Sequence, residues 1–139
     1  MKIIKTENLS VDRVVEFHSG VSNRILLQQD GMGYTMTKTI VHPGKRVFQH
    51  YKNHLESCYC VKGKAVLVNA ITGEEHIIEP DVTYVLDKND PHYFEAIEET
   101  TMICVFNPPL TGREIHQDDG SYAKNDISGF KSPVYDVRR

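Results

Sequence analysis

The apolar positions of this chain fall in short runs, not along helical stripes, and amphipathicity of helical period is weak throughout. Runs rich in β-branched and aromatic residues are broken by turn signals roughly every eight to twelve residues, the spacing of a sandwich or barrel. The pattern predicts strands over Arg24–Leu27, Tyr34–Val41, Glu56–Val61, Ala65–Asn69, Glu75–Ile78, Val82–Leu86, His92–Ala96 and Thr101–Phe106. Between them stand Asp30-Gly31, His42-Pro43-Gly44, Lys62-Gly63, Thr72-Gly73-Glu74, Glu79-Pro80-Asp81 and Asn89-Asp90-Pro91. Each cluster supplies a positive φ, a fixed φ or a side chain that bonds the turn. The runs either side of Ala70-Ile71 read as a hairpin. After Phe106 the alternation stops, because Pro108 and Pro109 remove two backbone donors and rule out regular sheet. Gln117–Asn125 is polar and rich in Asp and Gly, and reads as a covering loop or tail. The expectation is an all-β chain with an irregular C-terminal strap. A closed barrel of about six to eight strands is the economical architecture, since closure hides sheet edges.

Composition narrows this picture. At 139 residues the chain is expected to be one domain, a barrel core over about 20–107 followed by a lid and tail over about 108–139. A net charge of −3 and a pI near 6.1 provide no basic field for nucleic acid and no polybasic patch for a membrane surface. No apolar run approaches the roughly 20 residues of a membrane span, and the opening MKIIKTENLS is too polar for a signal peptide. Cytoplasmic residence is the expectation. Three cysteines, an odd count without a secretion signal, point to free thiols. Cys58 and Cys60 share a strand face and read as two small buried hydrophobes.

The candidate chemistry starts at Gly44–Gly63, which resembles the metal-binding motif of the cupins. The frame runs Gly44, five residues, His50, one residue, Lys52, three residues, Glu56, six residues, Gly63. Lys52 stands where a second His is usual, and a protonated Lys has no lone pair for a metal. On an unbroken strand His50, Lys52, His54 and Glu56 would all face one way. Imidazole and carboxylate so placed suit Zn²⁺ or Fe²⁺. A solvated polar strand face is the plain alternative, and the two framing glycines tip the reading toward metal. The looser second cupin motif fits only at Asp81, Asp87, Asn89 and His92, where Gly, Pro and Gly are usual at the first three places. Tyr84 lies on the preceding run, either a hard ligand for iron or simply a good β former. Glu114 and His116 flank Ile115 just past the prolines. They could share acid–base work, or belong to an exposed polar loop. Arg24 opens an otherwise apolar strand and could fork a carboxylate inside a cavity or face solvent. There is no GxSxG elbow, phosphate loop or HExxH helix.

Longer strings then identify a family. Asp30–Tyr34, His50–Ser57, Tyr84-x-Leu86-Asp87-Lys88-x-Asp90-x-His92-Tyr93 and Cys104–Glu114, which contains FNPPLTGRE, resemble the ectoine synthases. These are small iron-dependent cupins. The resemblance runs from about Arg24 to Gly120 and implies a cupin double-stranded β-helix, a jelly-roll barrel. It implies a hydro-lyase that cyclises Nγ-acetyl-L-2,4-diaminobutyrate to the compatible solute ectoine with loss of water. It further implies Fe²⁺, with another divalent transition metal such as Zn²⁺ as the alternative, and a homodimer. Metal ligands are implied at Glu56, Tyr84 and His92. Substrate contacts are implied at Arg24, Thr39, Tyr51, Phe106, Glu114 and His116, with His54 beside them. Among these, Tyr51 or Glu114 would be the base, and His54 or His116 would assist loss of water. If Tyr51 and Glu56 both face the cavity, strict alternation fails between them, and a bulge around Lys52-Asn53 would restore it. Gly20 stands where the family usually carries Trp, leaving a gap in the aromatic wall, Thr37 stands where Asn is common, and the tail after Tyr122 has no clear counterpart. Two other readings are a related cupin acting on a different acylated amino acid, and a cupin that only binds a small zwitterion.

Overall fold

The computed structural model describes residues 1–114. Ten strands follow in order: β1 (Val14–Phe17), β2 (Gly20–Leu26), β3 (Thr35–Val41), β4 (Arg46–Gln49), β5 (Leu55–Lys62), β6 (Ala65–Asn69), β7 (Glu75–Ile78), β8 (Thr83–Leu86), β9 (His92–Ala96) and β10 (Thr100–Asn107). They form two antiparallel sheets, a six-stranded one ordered β1-β2-β3-β10-β5-β8 and a four-stranded one ordered β4-β9-β6-β7. The fold is the jelly-roll double-stranded β-helix that the family resemblance implied. β1 and β4 are additions to the strands read from sequence, and the count of ten exceeds the expected six to eight.

The pleat sorts each strand into an inner and an outer face. On β5, Glu56, Cys58 and Cys60 are buried while Ser57, Tyr59 and Val61 face out. β10 turns Met102, Cys104 and Phe106 inward, and β9 does the same with His92, Phe94 and Ala96. These residues, with Leu27, Leu67, Ile78 and Leu86, make one continuous core between the sheets. Burial on this scale, at about 25 cal/mol per Å² of apolar surface, is the main force closing the barrel.

Two ladder irregularities bear on the site. β2 and β3 pair in register to Arg24↔Thr37, then slip so that Leu26 meets Met36. A second slip lies between Thr101 and Met102 on β10 against β5. Each is a bulge that re-aims the side chains around it.

The segment from His50 to His54 is not strand. β4 ends at Gln49 and β5 begins at Leu55, so no unbroken strand aligns His50, Lys52, His54 and Glu56, and the alternation is reset by a loop where a bulge was expected. Asn89 fixes that loop: its Nδ2 donates to the carbonyls of Tyr51 at 2.9 Å and His54 at 3.1 Å. Gly63, which closes the motif frame, sits at φ +98°, and a Cβ there would lie 2.3 Å from the Glu99 carbonyl oxygen. Asp81 and Asn89, which replace the usual glycines of the second motif, hold φ of 76° and 52°. Asp and Asn are the residues that tolerate this region best after Gly. The backbone of the second motif therefore survives without its glycines.

The strap after β10 folds back over the barrel. Pro108, Pro109 and Leu110 are buried. The Leu110 N–H donates to Thr35 Oγ1 at 2.7 Å, and Gln28 N–H donates to the Leu110 carbonyl at 2.8 Å.

Candidate active site

The interior of the barrel holds a small cavity of about 70 Å³. Of the residues expected to act, Arg24, Thr39, Tyr51, Glu56, Tyr84 and Phe106 all line it. His54 is fully buried one layer behind, its ring 6.2 Å from that of Phe106 in an edge-on contact. His92 lies behind Tyr84, ring centroids 6.4 Å apart, and 6.2 Å from the ring of Tyr51. Glu114 is buried on the strap, not part of an exposed loop. His116 lies outside the described residues.

Arg24 is 2 % exposed. Its Nη2 donates to the Glu114 backbone carbonyl at 2.8 Å, and Nη1 stands 4.0 Å from the Glu114 carboxylate. Among the described residues Nε and Nη1 make no hydrogen bond. A buried guanidinium with donors to spare at a cavity wall is able to take a carboxylate. Glu114 is itself committed: its carboxylate accepts the N–H groups of Thr111 at 2.7 Å and Gly112 at 2.9 Å. This turn fixes the strap's end. On the neighbouring strand, Thr37 and Thr39 share a hydroxyl hydrogen bond of 3.1 Å. Tyr51, 4 % exposed, packs edge-on against Phe106 with centroids 5.5 Å apart.

The acidic end of the cavity is dominated by desolvation. Burial raises the Glu56 carboxyl to about 7, opposed by hydrogen bonds from the Cys58 and Cys104 thiols. Tyr84 is pushed well above its ordinary value by burial, with Cys58, Glu56 and Cys104 adding repulsion. Burial lowers His92, against the weaker pull of the Asp90 carbonyl and charge, so its ring is neutral. His92 Nδ1 is 2.9 Å from the Asp90 carbonyl oxygen. A carbonyl only accepts, so Nδ1 carries the proton and Nε2 presents a lone pair. That is the arrangement of a metal-ligating His, with its outer nitrogen oriented by the backbone. Nε2 lies 3.1 Å from Gln49 Oε1, itself an acceptor, so with the proton on Nδ1 the Gln49 amide must turn its NH2 group toward Nε2. A carboxylate, a phenol and a neutral imidazole form an oxygen- and nitrogen-rich set suited to Fe²⁺ or Zn²⁺. By a purely geometric criterion over His, Cys, Asp and Glu, a different trio emerges: Glu56, Cys58 and Cys104, all buried, with ligand atoms within 4.8 Å of one another.

The sequence reading missed several residues that shape this site. Asn89 and Gln49 act through tertiary contacts that no local pattern reveals. Cys58 and Cys104 are directly opposite across β5 and β10, a pairing visible only once the strands are aligned. Val15 and Phe17 enter the cavity from β1. Gly20 also reads differently in three dimensions. A Cβ there would stand 1.9 Å from the Ile40 carbonyl oxygen, so Gly20 marks a close approach of two strands, not a gap. Phe17, in register with Gly20, supplies the aromatic surface on that side.

A family model described as ectoine synthase matches residues 1–126. An L-ectoine synthase of Desulfatibacillum aliphaticivorans is 47% identical over 116 residues, covering 82% of this chain and 89% of that one. Another, from Alkalilimnicola ehrlichii, is 44% identical over 124 residues, 88% of this chain and 94% of its own. The crystal structure of ectoine synthase from P. lautus superposes with a TM-score of 0.80 at 32% identity, over 96% of this chain and 97% of that one.

Proposed function

Because the chain belongs to the ectoine synthase family, we propose that it closes Nγ-acetyl-L-2,4-diaminobutyrate to ectoine and water inside this cavity. The reaction is that of an ectoine-forming lyase. The α-amino nitrogen attacks the acetamide carbonyl carbon, and the carbonyl oxygen departs as water, leaving a cyclic amidine. The observation that carries the binding mode is Arg24, buried at the cavity wall with Nε and Nη1 making no hydrogen bond among the described residues. Its charge would hold the substrate carboxylate, which fixes the end of the molecule that bears the nucleophile.

Glu56, Tyr84 and His92 Nε2 are the residues that would hold a metal ion, with Fe²⁺ favoured and Zn²⁺ the alternative. Such an ion, when bound, polarises a carbonyl as a Lewis acid. The amine must lose a proton as it attacks, and Tyr51, as its phenolate, and the Glu114 carboxylate are the groups assigned to take it. Glu114 already accepts two backbone N–H groups, which favours Tyr51 for the proton and Glu114 for holding the strap. His54, behind Phe106, stands ready to help deliver the proton that leaves with water. Thr39 and Phe106 shape the wall along which the chain must fold. Holding a flexible substrate in its ring-closing conformer contributes up to roughly 7–11 kcal/mol in favourable cases.

A homodimer completes this reading. The outer face of β5 exposes Tyr59 at 41% and Val61 at 48%, apolar area of the sort that a second copy covers. The direct experiment incubates metal-loaded protein with Nγ-acetyl-L-2,4-diaminobutyrate and follows the ring protons by NMR. Ectoine formed in proportion to enzyme supports the assignment. Unchanged substrate over folded, iron-loaded protein overturns it.

A further inference from the structure

Cys58 and Cys104 are not used by the reaction described above, yet they sit against its acidic group. Glu56 and Cys58 are two residues apart on β5 and share its inner face. Cys104 faces Cys58 directly across the antiparallel ladder, where opposing Cβ atoms lie about 4.5–5.5 Å apart. One oxygen and two sulfurs thus converge within 4.8 Å of one another, and all three residues are buried. Cys58 is fully enclosed, whereas Glu56 and Cys104 both line the barrel cavity. The cluster therefore has an entry path from the cavity and a closed back. Cys60, on the same strand face, is outside it.

We propose that Glu56, Cys58 and Cys104 form a carboxylate–dithiol site for a thiophilic divalent cation of the Zn²⁺ and Cd²⁺ class. Paired thiolates select this class over hard ions, and such ions accept the mixed sulfur and oxygen donors of a tetrahedral shell. Coordination releases the two thiol protons to solvent. Glu56 belongs to this sulfur set and also to the oxygen and nitrogen set with Tyr84 and His92. One carboxylate cannot complete both, so a thiophilic ion on the cysteines displaces the ion that supports turnover. The site itself stands on the cysteine geometry alone, and only the competition rests on the proposed function.

The test titrates metal-stripped, full-length protein with Cd²⁺ alone and reads the sulfur-to-metal charge-transfer band in the ultraviolet. The expected result is a saturable band at one ion per chain, absent from Cys58→Ala and from Cys104→Ala, and retained in Cys60→Ala and His92→Ala. Loss of an outer-shell partner costs roughly 10–100-fold in metal affinity, so loss of a direct thiolate should cost more than about 100-fold. Cys58→Ser is the second variant where Cys58→Ala fails to fold, and it should also lose the band. No band in the parent protein overturns the site, as does a band that survives Cys58→Ala or disappears with Cys60→Ala. A band lost in His92→Ala overturns it as well, assigning the ion to the oxygen and nitrogen set. In a parallel turnover assay with Fe²⁺, Cd²⁺ should inhibit the parent and inhibit Cys58→Ala at least about tenfold less strongly. Equal inhibition of both overturns the competition. Absence of turnover in the parent bears on the proposed function, while the Cd²⁺ band judges the site independently.

Discussion

Replacing Glu56 by Gln should change how the metal-free protein responds to pH. In the folded chain burial holds this carboxyl protonated up to about 7, against an ordinary value of 4.5. Below 4.5 both folded and unfolded chains carry the proton, and Glu56 adds nothing to the pH dependence. Between 4.5 and about 7 the unfolded chain has released its proton and the folded chain has not. The folded state then binds more protons, so stability falls as pH rises. Above about 7 the loss is complete. The interval at about 1.4 kcal/mol per pH unit gives a loss of about 3 kcal/mol. That is a substantial part of the roughly 5–15 kcal/mol by which a domain is stable.

Gln keeps the shape of the protonated acid and cannot ionise. The two proteins should match in stability near pH 4.5, and Glu56→Gln should be the more stable by about 3 kcal/mol at pH 8. The assay is urea unfolding followed by far-ultraviolet circular dichroism, with a chelator present, across that range. His92 contributes an opposite slope in both proteins: its neutral ring disfavours the folded state at low pH, where the unfolded His gains a proton. The difference between the two curves removes that contribution. Parallel curves would refute the claim that the Glu56 carboxyl is desolvated in the empty protein. The same desolvation means that a metal ion must displace a proton from Glu56 below about 7, so metal affinity should rise with pH to that point.

Three further changes probe the rest of the site. Arg24→Lys keeps the charge but loses the planar guanidinium's spread of donors; at about 1.5–3 kcal/mol for a charge-assisted bond, kcat/KM should fall about ten- to a hundredfold in steady-state kinetics. Thr35→Val leaves the buried Leu110 N–H without its 2.7 Å acceptor and should cost about 1–3 kcal/mol in urea unfolding. Gly20→Ala forces a Cβ to 1.9 Å from the Ile40 carbonyl oxygen and should cost about 3 kcal/mol or more, read as a lowered thermal midpoint; an unchanged midpoint would restore the gap reading of Gly20.

Most strands were legible in the sequence because their inner residues are apolar and turn residues bound them, and this includes the edge strands β7 and β8. β1 and β4, at the opposite edges of the two sheets, were not. Arg46 and Phe48 of β4 are exposed, and such charged, half-solvated edges carry little alternation. Glu56 could be read from its frame because the glycine at Gly63 is required by a backbone contact, which leaves a mark in the sequence. Asn89 was legible only in part: its place in the second motif and in the Asn89-Asp90-Pro91 turn marks a glycine's conformation, but the loop it staples, 35 and 38 residues away, does not follow from its neighbours. The cysteines read as small hydrophobes because burial is all that a single strand reveals. Their chemistry appears only in the cross-strand register.

The small volume of the cavity raises a question of access on which Arg24 bears. Sites for small ligands ordinarily run to about 300–1,000 Å³, and this one is about 70 Å³. A larger substrate needs the surrounding elements to shift, and the strap that packs over the barrel is one of them. It is held by Thr35 at Leu110, by Gln28 at the Leu110 carbonyl, and by Arg24 at the Glu114 carbonyl. One arm of Arg24, Nη2, holds the strap, while Nε and Nη1 make no hydrogen bond among the described residues. In the proposed binding mode a carboxylate at Arg24 would neutralise the buried guanidinium and order it, which would strengthen the grip of Nη2 on the strap. Substrate capture and exclusion of water would then be coupled through one side chain. A dehydration carried out in water needs that coupling, because an open barrel would let bulk solvent drive the ring open again.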